Sequence, residues 1–190
     1  RTLGRTLREA DYKVTAVVVD DVLIAVEPGD TTGRRFGIAF DLGTTTVVAT
    51  LLDLSTGTPA GVESALNKQQ PFGADVITRI SATMLDPGNL DKLQNLARET
   101  LAELAQAVCA QGGVAPDEVY EVAVAGNATM THLVLGIDPE PLGMAPFIMA
   151  TRLYPEVLAA DLGLGGIVHP RARAVVFYAF RGEVENARAA

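Results

Sequence analysis

Between Phe36 and Leu54 the chain reads FGIAFDLGTTTVVATLLDL. Two apolar, β-branched runs, Gly37–Phe40 and Thr46–Leu54, flank a short knot of Asp41, Leu42, Gly43, Thr44, Thr45 and Thr46. The runs read as paired strands. Strand hairpins usually turn on Asn-Gly or Asp-Gly, whereas this turn brings an acid, a glycine and three successive hydroxyls. Any fold proposed for the chain has to account for that turn.

The composition of the knot suits a phosphate. Gly43 lets backbone approach a ligand closely or take a positive φ. Successive amides from Gly43 to Thr46 form a concavity for phosphate oxygens, and the Thr44, Thr45 and Thr46 hydroxyls add neutral donors. Asp41 does not favour a bare phosphate. It fits if Mg²⁺ stands between the carboxylate and the phosphates, usually through water, because Mg²⁺ gives up water reluctantly. The alternative is a plain hairpin whose threonines only favour strand geometry. The turn matches neither the G-x-x-x-x-G-K-[ST] loop nor G-x-G-x-x-G.

The flanking chain supplies the rest of a layer. Val14–Val19 and Val22–Val26, hinged at Asp20-Asp21, predict a hairpin, and Glu27–Arg34 (EPGDTTGR) reads as a linker and boundary. The first 33 residues are too few for a core of their own and are expected to dock on the remainder. After the knot come a third strand at Glu63–Asn67 and a helix over Gly73–Met84. A second helix is capped by Asn89, has an apolar face from Leu90 to Val108 and stops at Gly112-Gly113. A strand at Val119–Ala125, a short helix at Thr131–Leu135, a helical patch near Pro155–Leu162 and a last strand at Ala174–Phe180 complete the pass. Three meander strands followed by helices and returning strands make a mixed α/β sheet with an antiparallel edge, the pattern of a ribonuclease-H-like layer.

Composition narrows the function classes. Net charge is −8, and the 15 Lys and Arg residues are scattered, which argues against a nucleic-acid surface. One cysteine, Cys109, and two histidines leave no internal disulfide and no Cys-ligated cluster or zinc site. Cys109 is expected in or near the core, and Met130, Met144 and Met149 read as packing residues. No apolar stretch is long enough for a bilayer span and no secretory segment leads the chain, so a cytoplasmic protein without membrane contact is expected. The chain has no initiator Met and ends without a closing element, and is therefore expected to be a piece of a longer protein.

Three stretches carry a resemblance. LREADYKVTAVVVDDVLIAVEPGDTTGRRFGIAFDLGTTTVVATLLDLSTG, SALNKQQPFGADVITRIS and VYEVAVAGNATMTHLVLGIDPEPLGMAPF occur in that order between about Leu7 and Gly166. They resemble the reductive activators of corrinoid proteins and related ferredoxin-containing ATPases. The knot alone resembles the first phosphate loop, D-x-G-T/S-T/S, of the wider actin, sugar-kinase and heat-shock-chaperone superfamily. The resemblance implies a protein with a [2Fe–2S] domain, a small middle domain and a two-lobed ATPase. Such a protein uses ATP and Mg²⁺ to drive reduction of Co(II) corrinoid to Co(I). Residues 1–33 would end the middle domain, and 34–190 would form an incomplete first ATPase lobe. Asp41 would organise Mg²⁺, and Gly43, Thr44, Thr45 and Thr46 would hold the β- and γ-phosphates. The partner would be a corrinoid iron–sulfur or corrinoid methyl-transfer protein, with a homodimer left open. The iron–sulfur domain and the second lobe lie outside the chain, which alone is expected to be inactive. The terminal FYAFRGEVENARAA departs from the family's usual Pro-Asn and Gly-Phe-Val-Gly-Ala-Asp pattern.

Two further places invite a reading. Gly126 and Asn127 stand where a strand meets a helix N-terminus, a common ligand position. They are candidates for nucleotide binding or water positioning, against a plain N-cap by Asn127 or Thr129. Asp75 is either a first-turn or capping acid, which is favoured, or a second carboxylate near the metal. His132 reads as structural or solvent-facing before any partner-facing role. His169, beside Pro170, carries no signal. The rival functions are a small-molecule kinase of the same superfamily and a partner-binding module without turnover.

Overall fold

A computed structural model describes residues 3–19, 21–151 and 153–178. A short helix α1 (Leu3–Glu9) precedes an antiparallel hairpin of β1 (Val14–Val19) and β2 (Val22–Pro28). The hairpin matches the sequence expectation. The helix is not among the elements expected from the sequence. Arg5 and Glu9 pair at 2.7 Å across one turn of it, the spacing that supports a short exposed helix.

The main sheet holds six strands: β3 (Phe36–Leu42), β4 (Thr46–Asp53), β5 (Thr58–Leu66), β6 (Val119–Gly126), β7 (Val157–Leu158) and β8 (Arg173–Tyr178). Their spatial order is β5-β4-β3-β6-β8-β7. Strand β4 runs antiparallel to β3 and β5, whereas β3, β6 and β8 are mutually parallel. An antiparallel meander whose first strand then pairs in parallel with a returning strand is the ribonuclease-H-like arrangement that the element order implied.

Helices α2 (Val76–Leu85), α3 (Gly88–Gly112), α4 (Ala128–Leu135) and the single turn α5 (Glu140–Gly143) join the strands. Side chains alternate across a strand, so Phe36, Ile38, Phe40 and Leu42 of β3 point to one face with Val47, Ala49 and Leu51 of β4. Leu93, Ala97, Leu101, Leu104 and Val108 of α3 and Met130, Leu133 and Val134 of α4 close over them in one buried cluster, with Cys109 at its margin. On the other face Gly37, Ala39, Leu52, Ala123 and Val175 line a depression of about 380 Å³. Among the described residues no helix is long and apolar enough to cross a membrane.

The hairpin docks on this layer as expected of the first 33 residues. Val19 and Ile24 pack with Tyr120 of β6, and the Tyr120 hydroxyl donates to Glu27 Oε1 at 2.8 Å while Thr31 donates to Oε2 at 2.6 Å. Arg34 forks onto the Glu118 carboxylate and donates to the Gly113 carbonyl at 3.0 Å.

Several local expectations are corrected. Strand β5 starts at Thr58, ahead of the expected Glu63, because β4 pairs with its whole length. Asn89 is not a cap: α3 begins at Gly88, and the Asn89 amide instead donates to Ala82 O at 3.0 Å, tying down the end of α2. The helical patch near Pro155–Leu162 is the short β7 followed by a 3₁₀ turn at Ala159–Leu162, since β8 offers an edge that β7 pairs with. Met130 is core, but Met144 is about half exposed and packs little. The expected Ala174–Phe180 strand is β8 up to Tyr178, and the departing terminal segment from residue 179 on lies outside the described residues.

Candidate functional site

Strand β3 delivers Asp41 and the knot to one edge of the sheet. Because Phe40 and Leu42 point into the core, Asp41 between them points to the opposite face, where it is exposed and its carboxylate forms no hydrogen bond or ion pair among the described residues. Gly43 then has to be glycine for contact reasons. A Cβ there would lie 2.3 Å from the Thr46 carbonyl oxygen. Gly43 and Thr44 are half-buried, and Thr45 and Thr46 are exposed.

The backbone of the turn is held from beneath by its carbonyls. Asn67 Nδ2 donates to Gly43 O at 2.9 Å, Arg79 Nη2 to Thr44 O at 2.6 Å, and the Asn67 amide to Thr45 O at 2.8 Å. In a planar trans peptide the N–H points opposite to the C=O. Drawing the Gly43 and Thr44 carbonyls inward therefore turns the Thr44 and Thr45 amides outward. Neither amide donates a hydrogen bond among the described residues. Two adjacent, unspent donors beside an exposed carboxylate make a place for an anion and a cation together.

The residues that hold the turn come from the NKQQPFGADVITR stretch. Asn67, Gln69 and Arg79 are all fully buried. Asn67 Oδ1 accepts from the Gln69 amide at 3.0 Å, Gln69 Nε2 donates to Leu93 O at 2.8 Å, and Gln69 Oε1 accepts from Arg79 Nη1 at 2.8 Å. Sequence reasoning gives none of these three side chains a role in holding the turn. The available signal was Arg79 standing on the same helical stripe as Ile80 and Thr83, where an amphipathic helix usually presents an apolar group. Asp75 resolves as the α2 N-cap, its carboxylate accepting the Thr78 amide at 2.9 Å. That bond holds its pKa below the ordinary carboxylate value.

The second predicted place meets the first. Parallel pairing sets Leu42 of β3 opposite Gly126 of β6, so both strands end at the same edge. Gly126 is buried, and a Cβ on it would come within 3.0 Å of Leu42 O, so its missing side chain serves close strand packing. Asn127 caps α4, with Oδ1 accepting the Met130 amide at 3.0 Å, and its Nδ2 donates to Thr44 Oγ1 at 3.0 Å. Of the sequence-predicted residues, the fold brings Thr44 and Asn127 into direct contact.

His132 stands apart from this contact. It is fully buried, so the solvent-facing reading is corrected. Its Nδ1 lies 2.7 Å from Ala128 O and 3.2 Å from the Tyr154 hydroxyl, and that hydroxyl is 2.9 Å from Thr131 Oγ1. Nε2 is buried without a hydrogen-bond partner among the described residues, and burial pushes the imidazole pKa down. His169 packs against Tyr120 with ring centroids 5.5 Å apart. Among the described residues no three His, Cys, Asp or Glu groups gather to hold a metal ion.

Comparison with known proteins gives a consistent set of relatives. The family model of the RACo middle region matches residues 36–182. The corrinoid activation enzyme RamQ of Eubacterium limosum is 43% identical over 113 residues, covering 60% of this chain and 19% of RamQ. The solved structure of a reductive activator for a corrinoid, iron-sulfur protein superposes with a TM-score of 0.82 at 35% identity, over 92% of this chain and 28% of that one. The chain thus spans less than a third of the length of either relative.

Proposed function

Since the chain belongs to the RACo middle-region family, we propose that it forms the phosphate-binding part of an ATP-dependent reductive activator of a corrinoid protein. Residues 1–33 end a small linker domain in this reading, and the layer from residue 34 on is the first lobe of an actin-like ATPase. The observation that carries it is the turn after β3: its carbonyls are tied inward and the Thr44 and Thr45 amides are left unspent, beside an exposed Asp41.

The residues present fit a Mg-nucleotide. Gly43, Thr44, Thr45 and Thr46 would hold the β- and γ-phosphates, Asp41 would hold water of the Mg²⁺ shell, and Asn127 would keep Thr44 in place. Bound ATP, once hydrolysed, supplies the free energy for an otherwise uphill one-electron reduction, with the electron coming from a [2Fe–2S] group carried elsewhere in the full-length protein. This chain's part is to grip the phosphates and to change its contacts when the terminal one leaves, the kind of local event that biases a two-state device. The two relatives act on corrinoid systems by name, which supports a corrinoid protein as the partner. A kinase reading gains no comparable support.

Titration calorimetry with Mg-ATP on the full-length protein tests the assignment. Wild type is expected to bind, and Asp41→Ala to lose the Mg²⁺-dependent part of the affinity. Because the Asp41 side chain is exposed and makes no bond among the described residues, its removal should move folding stability by no more than about 0.5 kcal/mol. Equal affinity in both proteins refutes the role given to Asp41, and no binding by wild type refutes the nucleotide reading.

A further inference from the structure

Arg79 is a buried cation with no ion pair among the described residues. It is 0% exposed, and its four hydrogen bonds all go to uncharged acceptors: Gly73 O at 3.0 Å, Gln69 Oε1 at 2.8 Å, Met130 Sδ at 3.2 Å and Thr44 O at 2.6 Å. The nearest opposite charge, Asp75 one turn earlier, attracts it only through space, being exposed and committed to capping α2. An arginine does not escape this by losing its proton. A buried charge without a partner is costly, and an apolar side chain of similar size is commonly the more stable choice. The site therefore keeps the charge at a cost to folding.

Its position indicates the use. Arg79 Nη2 donates to the carbonyl of the Thr44–Thr45 peptide, and the N–H of that same peptide is one of the two outward, unspent donors. A cation bound to the oxygen end of a peptide polarises it and makes its N–H a stronger donor, more so in a water-poor interior. The geometry points to Arg79 as the positioning residue of the phosphate turn and as the resident counter-charge for the polyphosphate, acting through the Thr44–Thr45 peptide. This rests on the nucleotide reading above and deepens it. Because the effect is electrostatic, it favours the more highly charged nucleotide, and Arg79 contributes to preference for Mg-ATP over Mg-ADP.

The test compares wild type, Arg79→Met and Arg79→Lys in the full-length protein. Three quantities are measured: affinity for Mg-ATP and Mg-ADP by calorimetry, the denaturation midpoint without nucleotide, and amide exchange at residues 43–45. Arg79→Met is expected to weaken Mg-ATP binding at least tenfold and Mg-ADP binding less, with a lower midpoint because Gly73 O, Gln69 Oε1 and Thr44 O lose their donor. Arg79→Lys, which keeps charge but not the forked grip, is expected to restore part of the ATP preference while residues 43–45 exchange faster than in wild type. Arg79→Met that binds Mg-ATP as wild type does, or that loses ATP and ADP affinity by one common factor, overturns the inference. Should Arg79→Met not fold, Arg79→Lys decides: wild-type exchange at 43–45 overturns the positioning role. Failure of the parent reading looks different, since wild type itself then binds neither nucleotide and both statements fall.

Discussion

Replacing Gly43 by alanine reverses the sign that a glycine-to-alanine change ordinarily has. At a site whose backbone tolerates a side chain, the substitution stabilises by about 0.4–1 kcal/mol, because the unfolded chain loses freedom. At Gly43 the added Cβ would sit 2.3 Å from the Thr46 oxygen, about 1 Å short of ordinary contact. The obstacle is backbone, and it cannot swing away. Thr46 opens β4, and the next residue, Val47, is fully buried opposite Leu42. Overpacking of this kind costs about 1–3 kcal/mol, and with no flexible side chain to yield we expect the upper half of that range. For a chain of this size each kcal/mol moves the melting temperature by about 2–4 °C, so the midpoint should fall by roughly 4–12 °C. Gly33 is the control: nothing lies within 4 Å of a Cβ there, and Gly33→Ala should melt at or slightly above the wild-type temperature. Circular dichroism melts at one scan rate compare the three proteins. A Gly43→Ala variant melting within about 1 °C of Gly33→Ala would refute the steric account of the turn.

Two other expectations concern buried polar groups. His132 is held below its ordinary pKa by burial, so the folded state resists taking a proton that the unfolded chain accepts. Its contribution is complete above about pH 6.5, the unfolded value, and is lost as pH falls from there toward the lowered folded value. His132→Asn keeps an N–H near the Nδ1 position and removes the titration, so urea midpoints at pH 7.5 and 5.5 should differ less in the variant than in wild type; an equal difference counts against it. Tyr120→Phe removes the donor to Glu27 Oε1 and should cost about 1 kcal/mol. Amide exchange is expected to rise in β1 and β2 ahead of the main sheet, and an unchanged exchange pattern would show that the hairpin is held by other contacts.

Much of the layer was legible because its signals are periodic. The apolar runs of β3, β4, β6 and β8 and the long apolar stripe of α3 are each strong enough to survive without tertiary help. Pro59 and Gly61 disfavour strand, so the sequence shortens β5, yet Gly61 lets α3 come close: a Cβ on it would lie 3.1 Å from the Val108 carbonyl oxygen. Tertiary packing outweighed local propensity. At the site, Asp41, Gly43 and the three threonines announce themselves by composition, and Asp75 by its place before a helix. Arg79 could not be read the same way. Its meaning depends on a loop 35 residues earlier lying above it, and locally only its place on the stripe of Ile80 and Thr83 sets it apart from a surface charge. Asn127 was visible as a cap, but its second bond to Thr44 spans 83 residues and exists only once β3 and β6 align in parallel.

That second bond settles a question of proton bookkeeping. A threonine hydroxyl can give or take, and a side-chain amide can be turned either way round. The Met130 amide can only give, so the atom of Asn127 facing it must be the oxygen, and the one facing Thr44 must be the nitrogen. Thr44 Oγ1 therefore receives, and its single hydrogen is left aimed at whatever else comes within reach. A helix start on one strand has in this way chosen the polarity of a hydroxyl on another, before any visitor arrives.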